Sequence, residues 1–95
     1  MDIRSIKHRG LKRFIERDDP SRLNSEWVER IRNIVAALVV APDVDGILAP
    51  PGWRLHRYRG GARRGTISIN VSGNWRITFK VDDGEIIDLD LEDPH

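Results

Sequence analysis

Hydrophobic positions along the chain follow two regimes, and the period changes near the middle. From about residue 8 to residue 17, Leu11, Phe14 and Ile15 recur at helical spacing, and Asp18-Asp19-Pro20-Ser21 stops the run. A longer stripe over about 25–41 comprises Trp27, Val28, Ile31, Ile34, Val35, Leu38 and Val39, in successive steps of one and three that also place apolar residues four apart. Asn24 or Ser25 suits its N-cap, and Glu26, Glu29, Arg30, Arg32 and Asn33 fall mostly on its wet side. Prolines and glycines in 41–46 and 49–52 then exclude both ladders. Beyond them the period becomes two, cleanly so over 66–71 and 75–81, and predicts strands over about 54–58, 66–71, 75–81 and 85–91. Ser72-Gly73-Asn74 and Asp82-Asp83-Gly84 are the hairpin turns, with Gly73 and Asn74 expected at positive φ. Ile3 and Ile6 suggest a short opening strand over 2–6. The pattern predicts one α+β domain over 1–95, with two N-terminal helices packed on one face of an antiparallel, mostly meander sheet.

Alternation also assigns faces. Trp75, Ile77, Phe79 and Val81 are expected in the core, leaving Arg76, Thr78 and Lys80 outside. An inward Leu55 puts His56 and Tyr58 on the opposite face, with Arg57 and Arg59 on its own side. Trp27 and its stripe read as core rather than as a ligand pocket.

Composition narrows the class. A chain of 95 residues, 39% hydrophobic and 33% charged, supports a single modest core. Its longest apolar run, Ile34 to Ala41, is far short of the roughly 20 residues of a spanning helix. The opening Met1-Asp2-Ile3-Arg4 does not read as a secretory signal. There is no cysteine, hence no disulfide and no thiolate metal site. His8, His56 and His95 are too scattered to suggest zinc, no carboxylate pair has metal spacing, and Gly60-Gly61 lacks the residues of a phosphate loop. The expectation is a cytoplasmic protein without metal or cofactor.

Charge is where the sequence departs from the ordinary. The net charge is only +1, yet between Gly46 and Val81 there is no Asp or Glu. That stretch holds Arg54, Arg57, Arg59, Arg63, Arg64, Arg76 and Lys80, while residues 82–95 reverse the sign with Asp82, Asp83, Glu85, Asp88, Asp90, Glu92 and Asp93. Solubility alone needs only mixed signs, and arginine's planar fork suits phosphate oxygens better than lysine's point charge. The basic stretch therefore reads as a polyanion-binding face. Gly60-Gly61-Ala62-Arg63-Arg64-Gly65 forms a basic loop placed for backbone phosphates, as are Arg54, Arg57 and Lys80.

RNA carries its own nucleophile, the 2′-hydroxyl, so a protein that cleaves it needs to orient that attack, stabilise the phosphorane and handle two protons. Arginine serves the second task and histidine the third. His56 lies within the acid-free stretch, where neighbouring positive charge favours the neutral form that suits a base. His95, beside Glu92 and Asp93, is placed for the protonated form that suits an acid.

The string Gly65-Thr66-Ile67-Ser68-Ile69-Asn70-Val71-Ser72-Gly73-Asn74-Trp75-Arg76-Ile77-Thr78-Phe79 resembles the signature of the HigB toxins, within the RelE/ParE superfamily. So do Pro51-Gly52-Trp53-Arg54-Leu55-His56, the opening Ile6 to Lys12 and the ending Asp90 to His95. The resemblance implies a RelE-like fold and a metal-independent, ribosome-dependent endoribonuclease acting on mRNA. It implies neutralisation by a helix-turn-helix, HigA-like antitoxin, through which alone operator DNA would be contacted, and no membrane partner. Carried over by position, Arg76, His56, Arg59 and His95 are the catalytic candidates. Arg59 stands where a lysine is common, keeping charge but not the capacity to act as a base. Pro94 stands where a tyrosine is usual, and Asn70 where many relatives carry arginine. The same superfamily includes gyrase-directed members, so a non-catalytic or gyrase-directed inhibitor is the alternative.

Overall fold

A computed structural model describes residues 1–93, so expectations placed on Pro94 and His95 lie outside the described residues. Helix α1 runs Arg9–Arg17 and helix α2 runs Val28–Val40, entered through a 3-10 turn at Ser25–Trp27. Four strands follow: β1 (His56–Arg57), β2 (Ile67–Ser72), β3 (Trp75–Asp82) and β4 (Glu85–Glu92). They form one antiparallel sheet in the order β1-β2-β3-β4, the expected meander.

The helix ends follow their sequence signals. His8 caps α1 by accepting the Leu11 N–H on Nδ1 at 3.0 Å, and Asn24 Oδ1 accepts the Glu26 N–H at 2.9 Å. Asp18 closes α1 in the left-handed conformation, φ 52°. Asp19 follows, its carboxylate bonded by Ser21 and the Arg13 guanidinium, which hold its pKa down to about 2. The β3–β4 turn uses Asp83 and Gly84, both at positive φ, as a two-residue hairpin with right-handed strand twist requires. In the β2–β3 turn only Gly73 takes positive φ (55°); Asn74 does not, contrary to expectation.

One face of the sheet carries Ile67, Ile69, Val71, Ile77, Phe79, Ile86, Leu89 and Leu91. Against it pack Leu11 and Phe14 of α1 and Ile31, Ile34 and Leu38 of α2. Burial of these apolar side chains is the main stabilising term, each contributing about 1.5–3 kcal/mol.

Four expectations are corrected by local geometry. The opening strand is reduced to two parallel bridges, Ile3 to Ile86 and Ile6 to Leu89. Asp88, at φ 55°, bulges out of β4 between those bridges, and its N–H goes to Ser5 Oγ at 2.8 Å instead of to a backbone carbonyl. Leu55 is exposed and Trp53 is buried in its place, because a 3-10 turn at Pro51–Trp53 followed by Arg54 in the left-handed region (φ 48°) shifts the parity of the segment. A second bulge between Asn70 and Ser72 leaves Trp75 at the sheet margin, 37% exposed, with its ring 5.4 Å from that of half-buried Trp27. Val39 turns outward at the end of α2. Among the described residues no helix is long and apolar enough to cross a membrane.

Ile34 is fully buried between helix and sheet. Ile34→Ala is expected to cost about 2–5 kcal/mol, read as a lower urea midpoint with little change in slope.

Candidate nucleic-acid interface

The face of the sheet turned away from the helices is polar, and two adjacent cross-strand rows define it. One row runs His56–Ser68–Thr78–Asp90 and the next runs Asn70–Arg76–Glu92. Although they lie outside the apolar core, Ser68 and Thr78 are almost fully buried, because neighbouring long side chains fold over them. Thr78 was expected to be exposed. Instead its hydroxyl donates to Glu92 Oε2, while Ser68 Oγ accepts from Arg76 Nε.

Arg76 is thereby held flat along the sheet. Its Nη2 donates to the Arg54 carbonyl oxygen at 2.9 Å. That carbonyl is aimed by the left-handed conformation of Arg54, an unfavourable geometry for a side chain of this size that costs about 1–2 kcal/mol and needs external support. The support comes from Arg30 on α2. Its Nη2 donates to Gly52 O at 2.8 Å and to Asn70 O at 3.1 Å, and its Nε also reaches Asn70 O at 3.2 Å. Arg30 thus ties the proline-rich loop to the β2 bulge. Asn70 closes the adjoining turn by donating to Gly73 O at 2.9 Å.

Around Arg76 lies an open recess of about 530 Å³. Arg54, Leu55, His56 and Tyr58 form one wall and Asn70, Gly73 and Asn74 the other; no carboxylate lines it. The His56 ring meets Tyr58 edge-on, centroids 4.6 Å apart at 82°. With a guanidinium on the floor, an imidazole and a phenol on the wall and a second arginine at the rim, the recess can hold a phosphodiester with a base beside it.

The structure gathers only part of the predicted set. Arg76, His56 and Arg54 share this recess, whereas Arg57 and Arg59 line an adjoining one that also contains Leu55 and His56. Arg64 is exposed on the loop. Arg63 and Lys80 border a third recess in which Asp88, Asp90 and Glu92 face Lys7, a mixed-charge surface poorly suited to phosphate. Arg63 is engaged there: its Nη2 is 2.9 Å from Glu92 Oε2, and its guanidinium lies over Tyr58. His95 lies outside the described residues, three positions beyond Glu92, which pairs directly with Arg76. Among the described residues no three His, Cys, Asp or Glu side chains gather as a metal site.

Sequence reasoning missed Arg30, Ser68 and Tyr58 as members of the site. Arg30 carried a signal: it lies three positions after Trp27 and four before Ile34, on the edge of the apolar stripe where a purely solvated arginine has little reason to be.

The chain has recognisable relatives among known proteins. A family model described as "RelE-like toxin of type II toxin-antitoxin system HigB" matches residues 4–95. The chain is also 38% identical over 93 residues to the protein named Endoribonuclease HigB from Proteus vulgaris, covering 98% of this chain and 99% of that one.

Glu92 supplies a pH test. The Arg63 hydrogen bond, helped by the Thr78 hydroxyl and opposed by burial, lowers its pKa. The folded state therefore binds fewer protons than the unfolded one as Glu92 titrates. Its stabilisation is full above the ordinary glutamate value near ~4.3 and is lost as pH falls through the lower folded value. Glu92→Gln is expected to destabilise by about 0.5–1.5 kcal/mol at pH 7, with the difference from wild type shrinking as the pH is lowered past 4 in urea titrations.

Proposed function

The chain belongs to the RelE-like toxins of type II toxin–antitoxin systems, in the HigB family, and from that premise we propose that it is a ribosome-dependent endoribonuclease that cuts mRNA and so arrests translation. Family membership implies an antitoxin partner, and the expected one is a HigA-like helix-turn-helix protein that alone contacts operator DNA. The observation that carries the reading is Arg76, locked by Ser68 Oγ and the Arg54 carbonyl at the floor of an acid-free recess walled by His56 and Tyr58.

In the proposed reaction the substrate's 2′-oxygen attacks the adjacent phosphorus. The bond from that oxygen to phosphorus forms and the bond to the 5′-oxygen breaks, leaving a 2′,3′-cyclic phosphate and a 5′-hydroxyl. One proton leaves the 2′-hydroxyl and one reaches the departing 5′-oxygen, which assigns His56 and His95 to the two transfers. Arg76 stabilises the charge on the non-bridging oxygens, and Arg59 adds to it from the adjoining recess. A guanidinium already fixed by two hydrogen bonds reorganises little as that charge grows, which is the condition for electrostatic catalysis. Arg54, Arg57 and Arg64 hold backbone phosphates on the approach.

Incubation with translating ribosomes, followed by mapping of 5′ ends, is expected to show cuts within the open reading frame. Arg76→Ala should reduce them about 100-fold or more, since one such contact is worth about 2.7–4 kcal/mol. Unaltered cutting would remove Arg76 from the mechanism. Growth arrest with intact mRNA would favour a blocker, and broken DNA a gyrase-directed member.

Arg30 touches no substrate in this scheme and acts as a positioning residue. Arg30→Ala is expected to lower kcat for cleavage about tenfold or more while KM moves far less, because the recess remains cationic but Arg76 loses its geometry. Arg30→Lys should recover part of the rate by restoring one donor. Equal losses in both variants, matched by a drop in folding stability, would reduce Arg30 to a structural role.

A further inference from the structure

The recess adjoining that of Arg76, about 640 Å³ in volume, has a different chemistry. Val44, Ile47 and Ala49 from the loop after α2, together with Leu55, give it an apolar wall. Arg57 and Arg59 bring two cations, and neither forms an ion pair with any described residue. Asp45 supplies its single lining carboxylate, which likewise makes no hydrogen bond or ion pair with a described residue. The neighbouring Asp43, by contrast, is spent on its own turn, accepting the Gly46 N–H at 2.8 Å.

For a surface that only gathers phosphate, a carboxylate at this point is counterproductive. It makes sense for a ligand that carries phosphate and N–H donors together, with a flat apolar face to cover the aliphatic wall. A nucleotide of a single strand meets all three conditions, since its base is unstacked and its Watson–Crick edge is free. An ionised carboxylate only accepts hydrogen bonds. Guanine offers it two adjacent donors, N1–H and the exocyclic amino group. Adenine and cytosine offer one amino group beside a ring-nitrogen acceptor. Uracil offers one N–H flanked by two carbonyl oxygens, which the carboxylate repels.

We propose that this recess receives an unpaired nucleobase, stacked on Val44, Ile47, Ala49 and Leu55 with its Watson–Crick donors toward Asp45, and that it thereby prefers guanine over uracil. The proposal rests on the nuclease reading and deepens it: Leu55 and His56 belong to both recesses, so the base read by Asp45 belongs to a nucleotide next to the linkage on Arg76. Arg57 and Arg59 take the phosphates flanking that base.

The test uses the full chain and short single-stranded DNA oligonucleotides, which lack the 2′-hydroxyl and stay intact, differing at one position between deoxyguanosine and deoxyuridine. Fluorescence anisotropy at fixed salt is expected to show the guanine form bound about fivefold or more tightly, the lower end of the effect of a two-bond base contact. Asp45→Asn and Asp45→Ala should each bring the ratio close to one. If the variants bind both oligonucleotides more tightly by the same factor, Asp45 is only a repulsive charge near phosphate and the proposal fails. It fails equally if the wild-type chain shows no dependence on the base. Because no strand is cut in this assay, its outcome is independent of whether Arg76→Ala abolishes cleavage.

Discussion

A guanidinium on the side of a sheet turned away from the helices gets no orientation from the apolar core. Here Arg76 gets it from two hydrogen bonds, one to a buried serine on the neighbouring strand and one to the carbonyl of a residue with positive φ. The second bond depends in turn on Arg30, which reaches from α2 to Gly52 and Asn70 and fixes the loop that carries Arg54. A chain of arginines therefore links the helix layer to the outer face. The packing of α2 on the sheet, through Ile31, Ile34 and Leu38, is transmitted to the position of one functional group.

Folding also rearranges the charge pattern of the sequence. The acidic C-terminal strand lies directly against β3, so the carboxylates of Asp90 and Glu92 sit on the same cross-strand rows as Thr78 and Arg76. On the N-terminal side, Arg4 meets Asp82 at 2.9 Å and Glu85 at 3.2 Å, tying the acidic hairpin to the opening segment. Negative charge is thus gathered on the β4 side. The acid-free recess opens toward β1, where Arg54, Arg57 and Arg59 leave the field positive.

Much of this was legible in the chain itself. The apolar stripe of α2 and the alternation of β2, β3 and β4 gave the layers and the meander, since each pattern is set by local backbone period. Arg76, on the outer parity of β3, was likewise identifiable, and the shared signature led to the family. What escaped were contacts made by chemistry distant in sequence. Thr78 is buried by Glu92, Arg63 is drawn away from solvent by the same carboxylate, and Arg30 leaves the wet side of its helix for two carbonyl groups. Bulges at Asn70/Ser72 and near Asp88, and the left-handed turn at Arg54, each break the period-two rule by one residue. Nothing in those residue types announces it, because an arginine or aspartate at positive φ is held there by its surroundings.

The Arg63–Glu92–Thr78 cluster joins the glycine-rich loop to the last strand at a single carboxylate, with the Arg63 Nε buried and without a partner. A passing phosphate that captured Arg63 would strand Glu92 beside a threonine hydroxyl and two further acidic side chains. Transfer of Arg63 to another anion is therefore opposed by the carboxylate it would leave behind. Arg64, the next residue, stays exposed, so two successive guanidinium groups are divided, one held against the last strand and the other left to solvent.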